Sequence, residues 1–349
     1  MEVRVYNRDL QFKGLSENQS SILWTRRYNS VGEFEIHLPI TPYNVDLYQI
    51  NNLVWMKGEL EAGVIEDIHY DESLTSNDMV VSGRFLESYM DRRVIHPTVN
   101  FNGKTEVAMR QLLDDISPVI PYVQLGELQG FDEEVSFQCL WKDLLAFETK
   151  LAQSSNLGFR FRPDFTNKNI TFEIYKGLDK TRSQSDRNFV EFSDDFDNVN
   201  QATYIINDQL EKTVAYVAGQ GEGEDRVVVV VGDDTLTGYD RREIFIDARD
   251  LSPDDLSPEE YEAVLTQRGI EKMTENMLNS SFECVIIPIG NFIYKENYDL
   301  GDIVTVKKSN WNITQDLRIT EIMEVYENGE MQVVPTLGDP LPTTFEMED

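Results

Sequence analysis

Short segments in which apolar and polar residues alternate occupy the first part of the chain. Among them are VRVYN, GEFEIHLP and GVIEDIHYD, and Gly, Asn, Asp or Pro separates one segment from the next. Alternation with a period of two indicates β-strands with one buried face, and many short strands in succession are typical of a barrel or a sandwich. Residues 1–98 are therefore predicted to form a first β-barrel domain.

Residues 99–200 carry a different pattern. Apolar side chains recur at helical spacing in residues 105–116 and again in SFQCLWKDLLAFETKLAQ, which opens with Ser136 as a candidate N-cap. The next stretch, GFRFRPDFTNKNITFEIYKG, alternates on either side of a turn around Thr166 and Asn167, as a hairpin does. The prediction is an α+β domain with two helices and a hairpin.

Strand patterns return after residue 200, with one interruption. Residues 201–250 and 282–340 again consist of short alternating segments such as QATYIINDQ and IVTVKKS. These two pieces are predicted to form a second β-barrel domain. The whole chain is thus expected to be β-rich and of the α+β class.

The interruption in this second barrel, residues 251–281, is predicted to be a helical insertion. Ser257, Pro258 and Glu260 form a capping box with proline at the first helical position, which marks the beginning of a helix. The last residues, 341–349, have neither a strand pattern nor a helix pattern. We expect them to be a C-terminal tail.

Three segments of the first barrel recur in the second in the same order. The pairs are residues 53–58 with 303–308, 63–70 with 317–324, and 79–81 with 331–333. Their offsets of 250, 254 and 252 residues are nearly constant. Any two strand-turn-strand segments share some similarity, but the near-constant offset favours a duplicated β-domain at the two ends of the chain.

Charge narrows the range of partners. The chain has 63 acidic and 31 basic residues, a net charge of −32 at pH 7. Such a chain repels nucleic acid because it offers few cations to replace the counterions of the phosphates. The sequence has no signal peptide and no apolar run of transmembrane length. We expect no specific nucleic-acid binding, no membrane insertion, and synthesis in a cytoplasm.

Motifs of catalysis and metal binding are not found. The histidines His37, His69 and His96 belong to no metal or nucleophile motif, and Cys139 and Cys284 are predicted to be buried free thiols. SDDFDN at 193–198 lacks the glycine and glutamate positions of an EF-hand loop and is expected to be a solvated linker. The prediction is a protein without enzymatic activity, cofactor or metal.

Tryptophans offer the remaining candidate binding groups. Trp24, Trp55, Trp141 and Trp311 could stack on sugars, but each lies in a strand or helix pattern. Packing in a core is the commoner role of tryptophan in such a pattern. We therefore expect core positions for all four.

The loop GQGEGEDR contains Gly219, Gly221 and Gly223 and is followed at once by five valines. A phosphate-binding glycine loop leads from a strand into a helix, whereas this loop leads from one strand into another. We predict a hairpin loop whose acidic residues face solvent, a neighbouring subunit or a channel. Arg226 is expected to pair with one of the acids Glu222, Glu224 and Asp225.

The sequence also resembles a known protein family over essentially the whole chain. AGQGEGEDRVVVVV, then GYDRREIFIDARDL, a capped helix and NYDLGDIVTVKK resemble the tail-hub family of siphoviruses and prophages. The N-terminal structural region of tail-associated lysins and the baseplate hubs of myophages are similar. The positions most specific to the resemblance, taken as structural markers, are Gly219, Gly221, Glu222, Gly223, Arg226, Arg241, Arg242, Glu243, Leu300, Gly301 and Asp302.

This resemblance implies a baseplate-hub-like fold, with two similar tube-forming β-barrel domains and intervening α+β domains. It implies a homotrimer at the virion tail tip, assembled in the host cytoplasm, whose ring continues the tail tube and forms a channel for DNA. The implied partners are the distal tail protein ring, the tape-measure protein, and tip, spike or fibre proteins. A trimer can match a six-fold tube because each chain carries two similar units.

Two other functions stay open at this stage. A carbohydrate- or cell-wall-binding tail adhesin without a tube role would need exposed aromatic side chains along a groove. A wall hydrolase would need two carboxylates in one cleft, and sequence cannot measure their separation.

Overall fold

The computed structural model describes residues 1–73, 77–254, 256–275, 279–286, 291–327 and 329–338. The expected tail at 341–349 lies outside them. The strands of the first half are β1 Val3–Tyr6, β2 Phe12–Ser16, β3 Ser21–Arg27, β4 Glu33–Pro39, β5 Leu53–Met56, β6 Gly63–Val64, β7 Asp67–Glu72, β8 Asn77–Arg84, β9 Val94–Ile95, β10 Val99–Lys104, β11 Val123–Leu125, β12 Glu134–Cys139, β13 Lys142–Asp143, β14 Gly158–Asp164 and β15 Asn169–Tyr175.

The second half is again mostly strands. They are β16 Glu191–Ser193, β17 Val199–Asn207, β18 Val214–Ala218, β19 Val228–Gly232, β20 Glu243–Asp247, β21 Asn279–Ile286, β22 Ile303–Lys308, β23 Ile313–Glu327 and β24 Glu330–Gly338. The α-helices are α1 Pro42–Leu47, α2 Thr105–Asp114, α3 Leu144–Ser154 and α4 Pro258–Glu275. A β-rich protein with few helices agrees with the sequence pattern.

One large sheet joins strands from both ends of the chain. Its strand order is β17-β21-β24-β23-β3-β4-β8-β7, and neighbours along this path are antiparallel. The pairing of β23 with β3, which we call the junction, places the two halves side by side in the same sheet. The two halves are therefore not separately closed barrels in the described chain, and the proposed domain boundaries stay a prediction.

The two halves of the chain repeat the same strand pairings. Leu53 lies opposite Val64 in the first half, and Ile303 lies opposite Arg318 in the second. These pairs have the offsets of 250 and 254 residues found in the sequence. Ile68 opposite Val81 corresponds in the same way to Ile322 opposite Pro335. The offset of the third segment is thus 254 in the structure, two residues more than sequence similarity suggested.

Apolar side chains of the large sheet fill two cores on one of its faces. The core of the first half contains Trp24, Phe34 and Ile36, and the core of the second contains Phe282, Ile322 and Leu337. Alternation of buried and exposed positions along β4 and β24 produces these cores, as the period-two pattern predicted.

The helix predicted in the SFQCLW stretch begins later than expected. Residues Glu134–Cys139 form a strand paired with β10, in which Val135, Phe137 and Cys139 alternate into a core. The helix α3 begins only at Leu144, where the Asp143 side chain accepts a hydrogen bond of 2.7 Å from the N–H of Ala146. Ser136 is therefore not an N-cap, because cross-strand pairing outweighs the helical spacing.

Other local predictions are confirmed. The hairpin of β14 and β15 turns at Asp164, whose Oδ1 accepts hydrogen bonds of 2.9 Å from the N–H groups of Thr166 and Asn167. The capping box opens α4: the N–H of Ser257 donates to Glu260 at 2.8 Å, and the N–H of Glu260 to Ser257 Oγ at 3.3 Å. Both cysteines are buried free thiols.

A small layered unit lies between β17 and β21 in the chain. Its sheet has the order β19-β18-β20, and α4 packs against one face over a core that includes Val217, Ile246 and Leu265. The valine run supplies both faces, since Val229 and Val231 point towards α4 while Val228 and Val230 are exposed. Among the described helices, none is long and apolar enough to cross a membrane.

Candidate assembly surfaces

The glycine loop joins β18 to β19, two antiparallel strands, as predicted for a hairpin loop. A Cβ atom on Gly219 would lie 2.4 Å from the Tyr261 hydroxyl of α4, so only glycine lets the loop approach the helix this closely. The N–H of Gln220 donates to the same hydroxyl at 2.8 Å. Gly221 has φ of 111°, a conformation that favours glycine. The glycines thus seat the loop against α4.

The described partners of Arg226 are not the acids of its loop, so the expected pairing with Glu222 or Asp225 is not found. Its guanidinium donates to the backbone oxygens of Gly219 and Ala218, each at 2.8 Å, and to Asp247 Oδ1 at 2.7 Å. Asp247 ends β20, which runs parallel to β18, so the pair is set by strand order rather than by distance along the chain. Hydrogen bonds from Arg249 and, less strongly, from Arg226 lower the pKa of Asp247 to about 2.

Arg241 and Arg242 hold the opposite end of the small sheet. Arg241 pairs with Asp234 at 2.7 Å and with Glu243 at 2.6 Å, and the hydrogen bonds to Asp234 and then to Glu243 raise its pKa. Arg242 pairs with Asp208 at 2.7 Å and with Glu211 at 3.0 Å. The two neighbouring side chains therefore fasten the loop that enters this unit and the loop between β19 and β20.

The remaining marker residues lie apart from this unit, where β22 begins. Gly301 has φ of 92°, and a Cβ atom there would lie 2.4 Å from the ring of Tyr28. The Asp302 carboxylate is almost fully buried and accepts hydrogen bonds from the N–H groups of Leu178 at 2.8 Å and Asp299 at 3.0 Å. Leu300 is buried in the core of the second half. The eleven markers thus lie in two separate parts of the fold, the small layered unit and the segment before β22.

A buried polar network crosses the junction, and sequence reasoning missed it. Arg26 on β3 is about 1% exposed and bonds to Glu61, Asp299 and the Tyr294 hydroxyl, the last two at 2.8 Å. Glu324 on β23 is fully buried and accepts from the hydroxyl of Tyr294 at 2.8 Å. Burial raises the pKa of Tyr294 well above its ordinary value, so this hydroxyl stays a donor.

The two ends of the large sheet are open in the described chain. β7 pairs only with β8, and β17 pairs only with β21. Apolar side chains are exposed on both end strands, with Tyr70 of β7 46% exposed and Ile206 of β17 60% exposed. Long open edges with exposed apolar residues template pairing with another chain unless they are covered.

The face of the large sheet that points away from the cores, here called the open face, is acidic. Its two arginines are each neutralised by carboxylates: Arg27 pairs with Glu33 and Glu321, each at 2.7 Å, and Arg84 with Glu66 at 2.8 Å. His37 and His69 lie on this face as well. Strand alternation places the following acids on it: Glu33, Glu35, Asp67, Asp71, Asp78, Glu321, Glu327 and Glu330.

The acidic stretch at 193–198 is not a free linker. Asp194 and Asp195 form ion pairs with Lys308 and Lys307 of β22. Among the described residues, no group of three or more His, Cys, Asp or Glu side chains is placed to hold a metal ion. The acids of this stretch thus fasten it to the neighbouring strand.

Of the four tryptophans, only Trp24 lies fully in a core. Trp55 is half-buried, while Trp141 and Trp311 are 69% and 44% exposed. The expectation of core positions is wrong for Trp141 and for Trp311, because Trp141 lies in the turn after β12 and Trp311 in the turn after β22. Trp141 adopts a positive φ of 53° there.

Comparison with known proteins identifies the family. The model of the siphovirus ReqiPepy6 Gp37-like protein family matches residues 2–339. The chain belongs to this family of phage tail proteins. The resemblance read from the glycine loop and the arginine-rich segment is thereby confirmed, and the tail protein has a structural role in the virion tail. A comparison with curated protein sequences finds no match.

Solved tail proteins share the fold of the whole tail protein at low sequence identity. The tail protein of Neisseria meningitidis MC58 is 14% identical, with a TM-score of 0.62 over 97% of this chain and 96% of that one. The prophage MuSo2 43 kDa tail protein of Shewanella oneidensis is 14% identical, with a TM-score of 0.60 over 97% and 98%. Prophage tail protein gp18 of Listeria monocytogenes EGD-e is 12% identical, with a TM-score of 0.58 over 99% and 97%.

Proposed function

We propose that this tail protein forms a homotrimeric ring at the tail tip or baseplate, which continues the tail tube and encloses a channel for DNA. The observation that carries the proposal is the repeated strand order of the large sheet. The offset of 254 residues aligns β23 with β7 and β24 with β8, so these strands are equivalent in the two halves. The order β17-β21-β24-β23 is then followed by β3-β4-β8-β7, the same four-strand unit a second time.

Paired residues support the equivalence of the first two strands in each unit. Across the first unit, Trp24 lies opposite Phe34, which lies opposite Gly83. Across the second, Tyr204 lies opposite Phe282, which lies opposite Leu337. Gly83 and Leu337 differ by the offset of 254, so the two rows correspond. Both rows carry an aromatic pair, with ring centroids 5.9 Å apart in the first and 6.3 Å apart in the second.

Two units in the same order can be continued by further copies. The junction pairs the last strand of one unit with the first strand of the next, and β7 of one copy is free to pair with β17 of another in the same antiparallel sense. Such a head-to-tail contact closes into a ring when the rotation per unit divides a full turn. A six-fold tube needs six units, and three chains supply them.

The register of the contact between copies follows from the junction. Within the chain, Glu324 lies opposite Trp24. Tyr70 is equivalent to Glu324, and Tyr204 is equivalent to Trp24. Tyr70 of one copy is therefore expected opposite Tyr204 of the next. The pairing would cover Ile206 as well, which is 60% exposed in the single chain.

Charge on the open face supports a role as a DNA channel. Closing the large sheet into a ring with its cores outside would turn the open face inwards, where its acids repel the phosphates of the passing genome. DNA would slide without specific binding. The proposed partners are the distal tail protein ring and the tape-measure protein on one side and tip, spike or fibre proteins on the other. An adhesin without a tube role leaves the repeated strand order unexplained.

Disulfide trapping of the contact tests the proposal. Residues directly opposite each other in antiparallel strands have Cα atoms about 4.5–5.5 Å apart, within reach of a disulfide. In tails assembled with the Tyr70→Cys, Tyr204→Cys protein, oxidation should give a denaturant-resistant ladder that ends at three chains. The matched control is Tyr70→Cys with Thr203→Cys, because Thr203 points to the other face. Intact tails without the cross-link, or a ladder that continues beyond three chains, would contradict the ring.

A further inference from the structure

A polar cleft of 420 Å³ lies between strands β1 and β5 on one side and the tip of the β14–β15 hairpin on the other. Its volume lies within the range of small-molecule sites, about 300–1,000 Å³. β1 and β5 line one wall, and the hairpin lines the other. This cleft takes no part in the junction, the open edges or the marker loops described above.

Three aromatic rings form the apolar part of the cleft, and Phe165 contacts the other two. The ring of Phe165 stacks on Tyr6 with centroids 3.7 Å apart, and it lies 5.9 Å from the ring of Trp55. The indole N–H of Trp55 donates to the backbone oxygen of Glu59 at 2.9 Å, which fixes the orientation of that ring. Trp55 and Phe165 are only half-buried. Aromatic side chains held in this way offer apolar contact area at little cost in conformational entropy.

Planar polar side chains surround the rings. Gln124 carries an amide and donates to the Thr171 hydroxyl at 3.3 Å, and Asn169 carries a second amide. Arg162 is exposed and forms an ion pair with Glu173 at 3.2 Å. Amide, guanidinium and carboxylate groups can each bond two neighbouring hydroxyl groups at once. Apolar rings next to such groups match a molecule with C–H faces and a rim of hydroxyl groups.

Charge balance selects a neutral ligand. Arg4 pairs with Glu2 at 2.5 Å, and Arg160 pairs with Glu173 at 2.8 Å. Arg160 and Arg162 thus share Glu173, and Asp164 adds a further carboxylate to the lining of the cleft. With Arg4 and Glu2 included, three guanidinium groups are balanced by three carboxylates, so the cleft has no excess positive charge for a phosphate or a carboxylate. We propose that this cleft binds a neutral saccharide unit, with a sugar ring against Trp55 and Phe165 and its hydroxyl groups on Gln124, Asn169 and Glu173.

Titration of the full-length protein with neutral disaccharides tests the site. N,N′-diacetylchitobiose and maltose are the probes, and the readout is saturation-transfer NMR together with titration calorimetry. Saturable binding of either sugar is expected, weakened by about tenfold or more in Trp55→Ala, as for truncation of an aromatic anchor. Asn169→Ala, a change at the edge of the cleft, should also weaken binding and guards against misfolding of the tryptophan variant. Trp311→Ala, which removes an exposed tryptophan outside the cleft, should leave binding unchanged.

Three results would overturn the site: no binding of either disaccharide, binding that Trp55→Ala and Asn169→Ala both leave unchanged, or binding of glycerol phosphate in preference to the sugars. The disulfide ladder at Tyr70 and Tyr204 is measured separately. Failure of the saccharide site and failure of the ring are therefore distinguishable.

Discussion

The Arg26 guanidinium donates two hydrogen bonds to the Glu61 carboxylate, 3.1 Å from Nε to Oε2 and 2.9 Å from Nη2 to Oε1, with both side chains almost fully buried. Arg26 lies on β3 at the junction, and Glu61 lies between β5 and β6. Together they connect the junction to the second layer of the first half. A buried bidentate pair of this kind makes the stability of the junction depend on both partners.

Removal of one partner should expose this dependence. Glu61→Ala leaves the Arg26 charge without its bidentate partner, and we expect the free energy of unfolding to fall by about 3–5 kcal/mol. Glu33→Ala is the matched control, because Glu33 pairs with Arg27 but is 52% exposed. Its loss should cost less than about 1 kcal/mol. Chemical denaturation of both variants checks this, and equal losses would show that burial of the Arg26 pair has no special weight.

The free energy of unfolding should depend on pH through the raised pKa of Glu87. This side chain is fully buried, and loss of solvation raises its pKa to about 8 from an ordinary value of 4.5. An acid whose pKa is higher in the folded state favours folding fully below the unfolded value, and this contribution is lost as pH rises towards the folded value. Glu87→Gln stays neutral and can still accept from the N–H of Phe161, which lies 2.6 Å from Oε1.

Relative to wild type, Glu87→Gln should therefore gain stability between pH 4.5 and 8, by at most about 1.4 kcal/mol per pH unit. Below pH 4.5 the two proteins should be alike. Urea midpoints measured at a series of pH values test the prediction, with the exposed Glu17→Gln as control. A difference that does not change with pH would assign the effect to packing rather than to ionisation.

The marker glycines should differ in their tolerance of substitution. Gly219→Ala would place Cβ 2.4 Å from the Tyr261 hydroxyl and 3.1 Å from Leu265, so we expect a loss of about 1–3 kcal/mol from overpacking. Gly223→Asn should be nearly neutral, because nothing lies within 4 Å of a Cβ there and asparagine tolerates the φ of 58°. Thermal unfolding of the two variants checks the contrast. If both are neutral, close packing against α4 is not the role of Gly219.

Charge reversal on the open face should slow DNA release if that face lines the channel. The double variant Glu35→Lys, Asp67→Lys changes two residues in one row of the sheet. It makes the net charge more positive by four per chain and by twelve per trimer. Release of the genome from such virions should be slower and should recover in high salt, since the added attraction is screened. The double variant Glu222→Lys, Asp225→Lys, in the marker loop, is the control with the same change in charge. Equal delays would point to overall charge instead of the channel.

Local features of the fold were predictable from sequence because neighbouring residues determine them. The hairpin at Asp164, the capping box at Ser257 and the alternating strands needed only the local pattern of side chains. The helix expected from Ser136 failed because the helical spacing competes with pairing between β10 and β12, and the tertiary pairing prevails.

The assembly surfaces were beyond such reasoning because they join distant parts of the chain. Arg26 and Asp299 are 273 residues apart, and no local pattern marks their contact. The partner of Arg226 was mistaken for the same reason, since Asp247 becomes its neighbour only through the parallel pairing of β18 and β20. The internal repeat was the one long-range signal in the sequence, and its near-constant offsets reflect the shared register of the two units.

Because of the junction, the proposed ring would contain two kinds of contact between four-strand units: contacts within a chain and contacts between chains. Because β23 and β3 belong to one chain, each subunit forms one contact between two four-strand units, here called a seam, as it folds. This contact does not depend on the concentration of subunits. In a ring of three chains, half of the six seams would then exist before any two subunits meet. Only the other three, between β7 and β17, would depend on how many subunits the cell has made.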